Sequence, residues 1–243
     1  MRYIVLAVMA ALLPFSAKAA SVTYSVGGEE FEGYGAKASG TSKGLVFIIH
    51  DWDGLTDYEK KRADMLASMG YDAFAVDLFG KGKLPKSIDE NRAATGRLYK
   101  DRERMRALMF AGLAEAKKMS GGKTVVMGYC FGGAATLEMA RSGKAADVSG
   151  YVTFHGGLTT PQGQSYPKET PPILIAHGGA DTAVTMEHVA GLSKELEAAG
   201  ITYEIEVYSG APHAFTVIGS NRYREVADKK SWAAFEEFLQ NNL

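Results

Sequence analysis

The chain carries a single cysteine, Cys130, among its 243 residues, so no disulfide can form within one copy. Excess charge of either sign is also missing. The 27 lysines and arginines nearly balance 28 acidic residues and leave a formal net charge of −1. That balance removes any bulk attraction to nucleic acid or to anionic membrane. The basic stretch from Lys100 to Arg106 does not restore one, because Asp101 and Glu103 interrupt it and give a solvated helix face. There is no low-complexity tract and no internal repeat. No H-E-x-x-H and no paired-histidine spacing occurs, so a zinc centre finds no support in motif. His50, Asp51 and Asp53, close in sequence, are what a metalloenzyme alternative has to offer.

The first residues read as a signal peptide over 1–19. Arg2 supplies a positive start, and Ile4–Leu13 is an apolar run too short to span a bilayer. Ala17-Lys18-Ala19 forms a small-residue cleavage site with polar sequence after it. The expectation is an exported chain, in a bacterial periplasm, with no membrane attachment after cleavage. The mature part, 20–243, has about 220 residues, enough for one domain with a sizeable core. In an oxidising compartment an unpaired thiol is a liability unless it is buried or chemically required.

Periodicity predicts strands alternating with helices. Val22–Ser39 alternates around Gly27-Gly28 and reads as an antiparallel hairpin. Leu45–Ile49, Tyr71–Leu78, Thr124–Tyr129, Val148–Phe154, Ile173–Ala176 and Tyr203–Tyr208 read as strands, the first two as continuous apolar runs. Thr56-Asp57-Tyr58-Glu59 is a capping box that opens a helix ending at Gly70. Further helices are expected over Asp89–Met119, with a break at Gly96, and over Phe131–Arg141, Met186–Ala199 and Tyr223–Leu239. Such alternation implies an α/β fold, a mostly parallel sheet covered on both faces. The short, proline-marked loop Leu158–Thr170 leaves no room for a large lid domain.

Gly128-Tyr129-Cys130-Phe131-Gly132-Gly133 falls between a predicted strand and a predicted helix, the context of a nucleophile elbow. Small residues two before and two after the nucleophile let strand and helix approach closely. The helix N-terminus aimed at the sulfur favours thiolate. His177-Gly178-Gly179-Ala180-Asp181 and Gly210-Ala211-Pro212-His213-Ala214-Phe215 each follow a predicted strand. The order nucleophile, acid, histidine is that of α/β-hydrolases. On this reading Cys130 attacks, His213 is general base and then acid, and Asp181 fixes the imidazole. Phe131 N–H and Trp52 N–H, the latter in the loop His50-Asp51-Trp52-Asp53-Gly54, are the expected oxyanion donors. His155, His177 and His188 read as core, turn and surface residues.

At these residues the chain resembles the dienelactone hydrolase family, an α/β-hydrolase branch with a cysteine nucleophile. The Gly-x-Cys-x-Gly-Gly elbow, the Gly-Gly-x-Asp loop and the Pro-His-x-Phe loop carry the likeness across nearly the whole mature sequence. The resemblance implies Cys130, Asp181 and His213 as triad, Trp52 and Phe131 as oxyanion hole, and neither metal nor organic cofactor. It also implies that Asp51, where the family usually has glutamate, contacts the resting thiol. Members acting on dienelactone clamp a substrate carboxylate with an arginine four residues past the histidine; here that residue is Val217. Arg92 or Arg97 is left as a second clamp. Losing the clamp removes charge-assisted bonds worth about 1.5–3 kcal/mol. The expected substrate is therefore a neutral or aromatic small-molecule ester or lactone, in a pocket walled by Trp52, Phe79, Phe131, Phe154, Phe215 and Val217. Two alternatives stand beside it: attack on activated phosphotriesters with the same triad, and a non-catalytic binding protein on a hydrolase fold.

Overall fold

The structure, a computed structural model, describes residues 19–243. Apart from Ala19, the expected signal peptide lies outside the described residues. The chain forms β1 (Ala19–Val26), β2 (Glu29–Ala36), β3 (Leu45–Ile49), α1 (Asp57–Ser68), β4 (Asp72–Val76), α2 (Ile88–Lys100) and α3 (Arg102–Met119). It continues through β5 (Thr124–Tyr129), α4 (Phe131–Ser142), β6 (Val148–Phe154), β7 (Ile173–Gly178), α5 (Met186–Ala199), β8 (Tyr203–Tyr208) and α6 (Glu225–Asn242).

These strands make one eight-stranded sheet in the order β1-β2-β4-β3-β5-β6-β7-β8. The β1–β2 hairpin turns at Gly27-Gly28, both at positive φ, and β2 pairs antiparallel to β4. Every pairing from β4 to β8 is parallel. After β3 the chain steps outward to β4, then crosses back to lay β5 on the other side of β3. The carboxyl ends of β3 and β5 thus flank the point where winding reverses, the place where open α/β sheets form their sites.

Alternation along each strand feeds two cores. Phe47, Ile49, Phe74 and Val76 point to the face packed by α2, α3, α4 and α5. Val46, Ile48, Ala73 and Ala75 point to the face packed by α1 and α6. A strand buried on both faces must be apolar at every position, as Leu45–Ile49 is. The capping box at Thr56 is formed: its hydroxyl accepts from Tyr58 N–H and Glu59 reaches back to Thr56 N–H.

Two local expectations are corrected. The break in the long helical segment falls at Asp101, whose carboxylate caps α3 by accepting from Arg104 N–H at 2.9 Å. Gly96 stays inside α2, where helical geometry holds it. His177 is not a turn residue; it lies within β7 and is fully buried.

Candidate active site

β5 ends in a corner. Cys130 has φ 48° and ψ −106°, a strained backbone for a residue with a Cβ, and α4 begins at the next residue. Two glycines make the corner possible. A Cβ on Gly128 would lie 2.2 Å from Gly132, and one on Gly132 would lie 2.1 Å from the Ile49 carbonyl oxygen. Cys130 N–H donates to Phe154 O at 3.0 Å, tying the corner to β6. Cys130 as a whole is half-buried.

The loops after β7 and β8 bring their side chains to the sulfur. His213 Nε2 lies 3.0 Å from Cys130 Sγ, and His213 Nδ1 lies 2.7 Å from Asp181 Oδ2. The other oxygen, Asp181 Oδ1, accepts from Ala183 N–H and Val184 N–H, both at 2.8 Å. Burial pushes the Asp181 pKa up, but bonds from His213 and these amides outweigh it and leave it below the usual carboxylate range. A carboxylate there places the imidazole proton on Nδ1 and leaves Nε2 free to accept from the thiol.

The thiol is held neutral. Burial raises its pKa well above the ordinary value, and the adjacent Asp51 carboxylate raises it further. Phe131 N–H pulls the other way and is outweighed. The thiolate expected from the helix N-terminus is therefore not the resting form. Asp51, buried after β3, has its own pKa raised by burial to about 6. Its carboxylate accepts from Trp52 N–H at 2.5 Å, so one acidic side chain touches both the thiol and that amide. Phe131 N–H points at the sulfur. The Asp51 carboxylate thus bridges the Trp52 amide and the sulfur that Phe131 N–H meets.

The remaining predicted residues divide. Trp52 and Phe79 are half-buried and pack on the apolar core next to Phe131. Val217 is half-buried in the turn after His213. Phe154 and Phe215 are not pocket walls; both are buried in the α1/α6 core, Phe154 against Phe235 and Phe215 against Tyr208. Arg92 is exposed and pairs with Asp89 at 3.5 Å, while Arg97 lines a cleft with Phe31 and Leu108. His155 is core and His188 is surface, where it caps α5 by accepting from Thr185 N–H. Among the described residues no group of three or more acidic, histidine or cysteine side chains is placed to hold a metal ion. Both ring nitrogens of His50 are already engaged, by Asp51 O and Leu78 N–H.

Sequence reading missed three neighbours. Tyr99 on α2 stacks edge-on against Phe131, centroids 5.4 Å apart, and shares its surroundings with the thiol and Asp51. Glu59 accepts from Asp51 N–H at 3.2 Å, behind the site. Thr216 bridges His155 Nε2 at 2.8 Å and Tyr58 Oη at 2.7 Å. Glu59 was visible only as a capping residue; Tyr99 and Thr216 had no distinguishing signal.

A model of the dienelactone hydrolase family matches residues 31–243. The chain belongs to that family. Family members are hydrolases, and this protein is one of them. It is 25% identical over 219 residues to a carboxymethylenebutenolidase of Rhodococcus opacus, covering 85% of this chain and 84% of that one. Its fold matches a solved structure named m3DLH with TM-score 0.84 and 28% identity, over 94% of this chain and 99% of that one. It also matches a dienelactone hydrolase-like promiscuous phosphotriesterase from metagenomic libraries, TM-score 0.83 and 26% identity, over 93% and 99%.

Proposed function

We propose that this dienelactone hydrolase-family member cleaves neutral carboxylic esters or lactones through a thioester on Cys130. The observation that carries the reading is the line Cys130 Sγ, His213, Asp181, with spacings of 3.0 and 2.7 Å. As the sulfur attacks the carbonyl carbon, its proton passes to His213 Nε2. Asp181 stabilises the imidazolium. The carbonyl oxygen displaces the Asp51 carboxylate and takes the amides of Trp52 and Phe131 as its charge grows. The C–O bond to the leaving alkoxide breaks, and His213 hands it the proton. Water, deprotonated by the same nitrogen, then splits the thioester and returns the thiol.

Two features support a neutral substrate. Val217 stands where the resemblance places a carboxylate clamp, and Arg92 is exposed, beside Asp89 at 3.5 Å. The phosphotriester alternative is favoured by the likeness to a promiscuous phosphotriesterase, since the same two amides can hold a phosphoryl oxygen. Intact-protein mass spectrometry with an aryl acetate and an aryl phosphotriester tests both. An acetyl adduct on Cys130 that turns over, absent in Cys130→Ala, is expected. Acetylation elsewhere, or steady turnover by Cys130→Ala, overturns the reading. A phosphoryl adduct on Cys130 that turns over establishes the second activity.

A further inference from the structure

The peptide joining Asp51 to Trp52 is gripped from one side. Its oxygen, Asp51 O, accepts from His50 Nδ1 at 2.5 Å and from Gly54 N–H at 3.2 Å. A trans peptide carries its C=O and N–H in opposite directions, and the described residues contain no cis bond. Anchoring the oxygen therefore aims Trp52 N–H the other way. That is the direction in which it meets the Asp51 carboxylate beside the thiol.

His50 can make this bond in one tautomer. Its Nε2 accepts from Leu78 N–H at 3.2 Å, which leaves the proton on Nδ1. Leu78 follows β4, so the imidazole braces the loop after β3 against the neighbouring strand. The ring is fully buried, edge-on to Phe79 with centroids 4.6 Å apart and 5.9 Å from Phe131. Burial lowers its pKa against the pull of Asp77 and Asp53 and keeps it neutral. The backbone beside it cannot drift, because the first turn of α4 rests on Ile49 O and His50 O at Gly132.

We infer that His50 is a positioning residue for the oxyanion hole: it holds the carbonyl of the peptide whose N–H receives the oxyanion, without touching substrate. This rests on the role given to Trp52 above. The two bonds of the ring can be separated chemically. Asparagine places an amide nitrogen near Nδ1 and keeps the donor to Asp51 O. Glutamine places an amide oxygen near Nε2 and keeps the acceptor for Leu78 N–H.

Two reactions of Cys130 are compared in the full-length protein: acylation by an aryl acetate, which develops an oxyanion, and alkylation by iodoacetamide, which does not. Removing an oxyanion donor outright costs about 10²–10³ in rate. A misaimed one in His50→Leu and His50→Gln is expected to slow acylation about tenfold or more. Alkylation is expected to stay within about twofold of wild type, and His50→Asn to regain most of the acylation rate. Should His50→Leu fail to fold, the Asn and Gln variants decide. Acylation unchanged in His50→Gln, or equally slow in His50→Asn, overturns the inference. So does a parallel fall of acylation and alkylation, which would place the effect on the thiol. A wild-type protein that never acylates Cys130 defeats the thioester reading itself, a separate outcome.

Discussion

At the scale of the residue, the resting chemistry turns on Asp51. Burial and this carboxylate both oppose thiol ionisation, so the resting sulfur is a thiol. With a pKa of about 6, Asp51 is largely ionised at pH 7 and becomes neutral as pH falls through 6. Asp51→Asn removes the negative charge and keeps the size. The Cys130 pKa should fall, because the Asp51 charge that helps raise it is gone while burial and Asp181 remain. The measurement is the alkylation rate of Cys130 by iodoacetamide against pH. Its rise should move to lower pH in the variant, with faster alkylation at pH 7. A profile that stays in place, or moves to higher pH, removes Asp51 from control of the thiol. Aspartate is the shorter of the two acidic side chains, yet it reaches both Trp52 N–H and the thiol.

At the scale of the element, the β5–α4 corner was legible because its constraint is written in residue type. Only glycine fits at 128 and 132, whose absent Cβ atoms would strike backbone. The helix break near residue 100 was less legible. A glycine marks where a helix can stop, whereas Asp101 starts the next one, α3, by offering its carboxylate to Arg104 N–H. Two alanine substitutions separate these kinds of glycine. Gly132→Ala must push α4 away from Ile49 O at 2.1 Å, so ester turnover should fall to background and the melting temperature should drop. Gly191→Ala lies in α5 with nothing within 4 Å of its new Cβ. It should stabilise the protein by about 0.4–1 kcal/mol, since alanine loses less chain entropy than glycine in a helix. Denaturant melts and aryl acetate turnover check the pair. An active, stable Gly132→Ala would mean that the corner tolerates what its geometry forbids.

At the scale of the whole molecule, the chain order of Cys130, Asp181 and His213 was readable because each follows a strand in one parallel sheet, and parallel strands end at one edge. What periodicity could not supply was which side of that edge an aromatic takes. Phe154 and Phe215 turn into the α1/α6 core, while Trp52 and Phe79 pack toward Phe131 on the other face. Nor could it show the buried tie behind His213. Arg62 of α1 pairs with Asp228 of α6 and donates to Thr216 O at 2.9 Å, in the loop that carries the histidine. Its guanidinium also lies over the rings of Tyr58 and Trp232. One side chain therefore joins the first helix, the last helix and the histidine loop. Its own exposure is 1%, so water cannot replace it. Arg62→Ala leaves Asp228 charged and buried without its partner, which typically costs about 3–5 kcal/mol. The same change frees Thr216 O, so the histidine loop should loosen and kcat should fall even at temperatures where the protein stays folded. By contrast, Lys229→Ala breaks an exposed pair with Glu225 and should leave both the unfolding midpoint and kcat unmoved. Urea unfolding with parallel turnover assays distinguishes the two. A loss below about 1 kcal/mol in Arg62→Ala would show that water or a rearranged neighbour takes over the charge, and that α1, α6 and the histidine loop are held together by apolar packing alone.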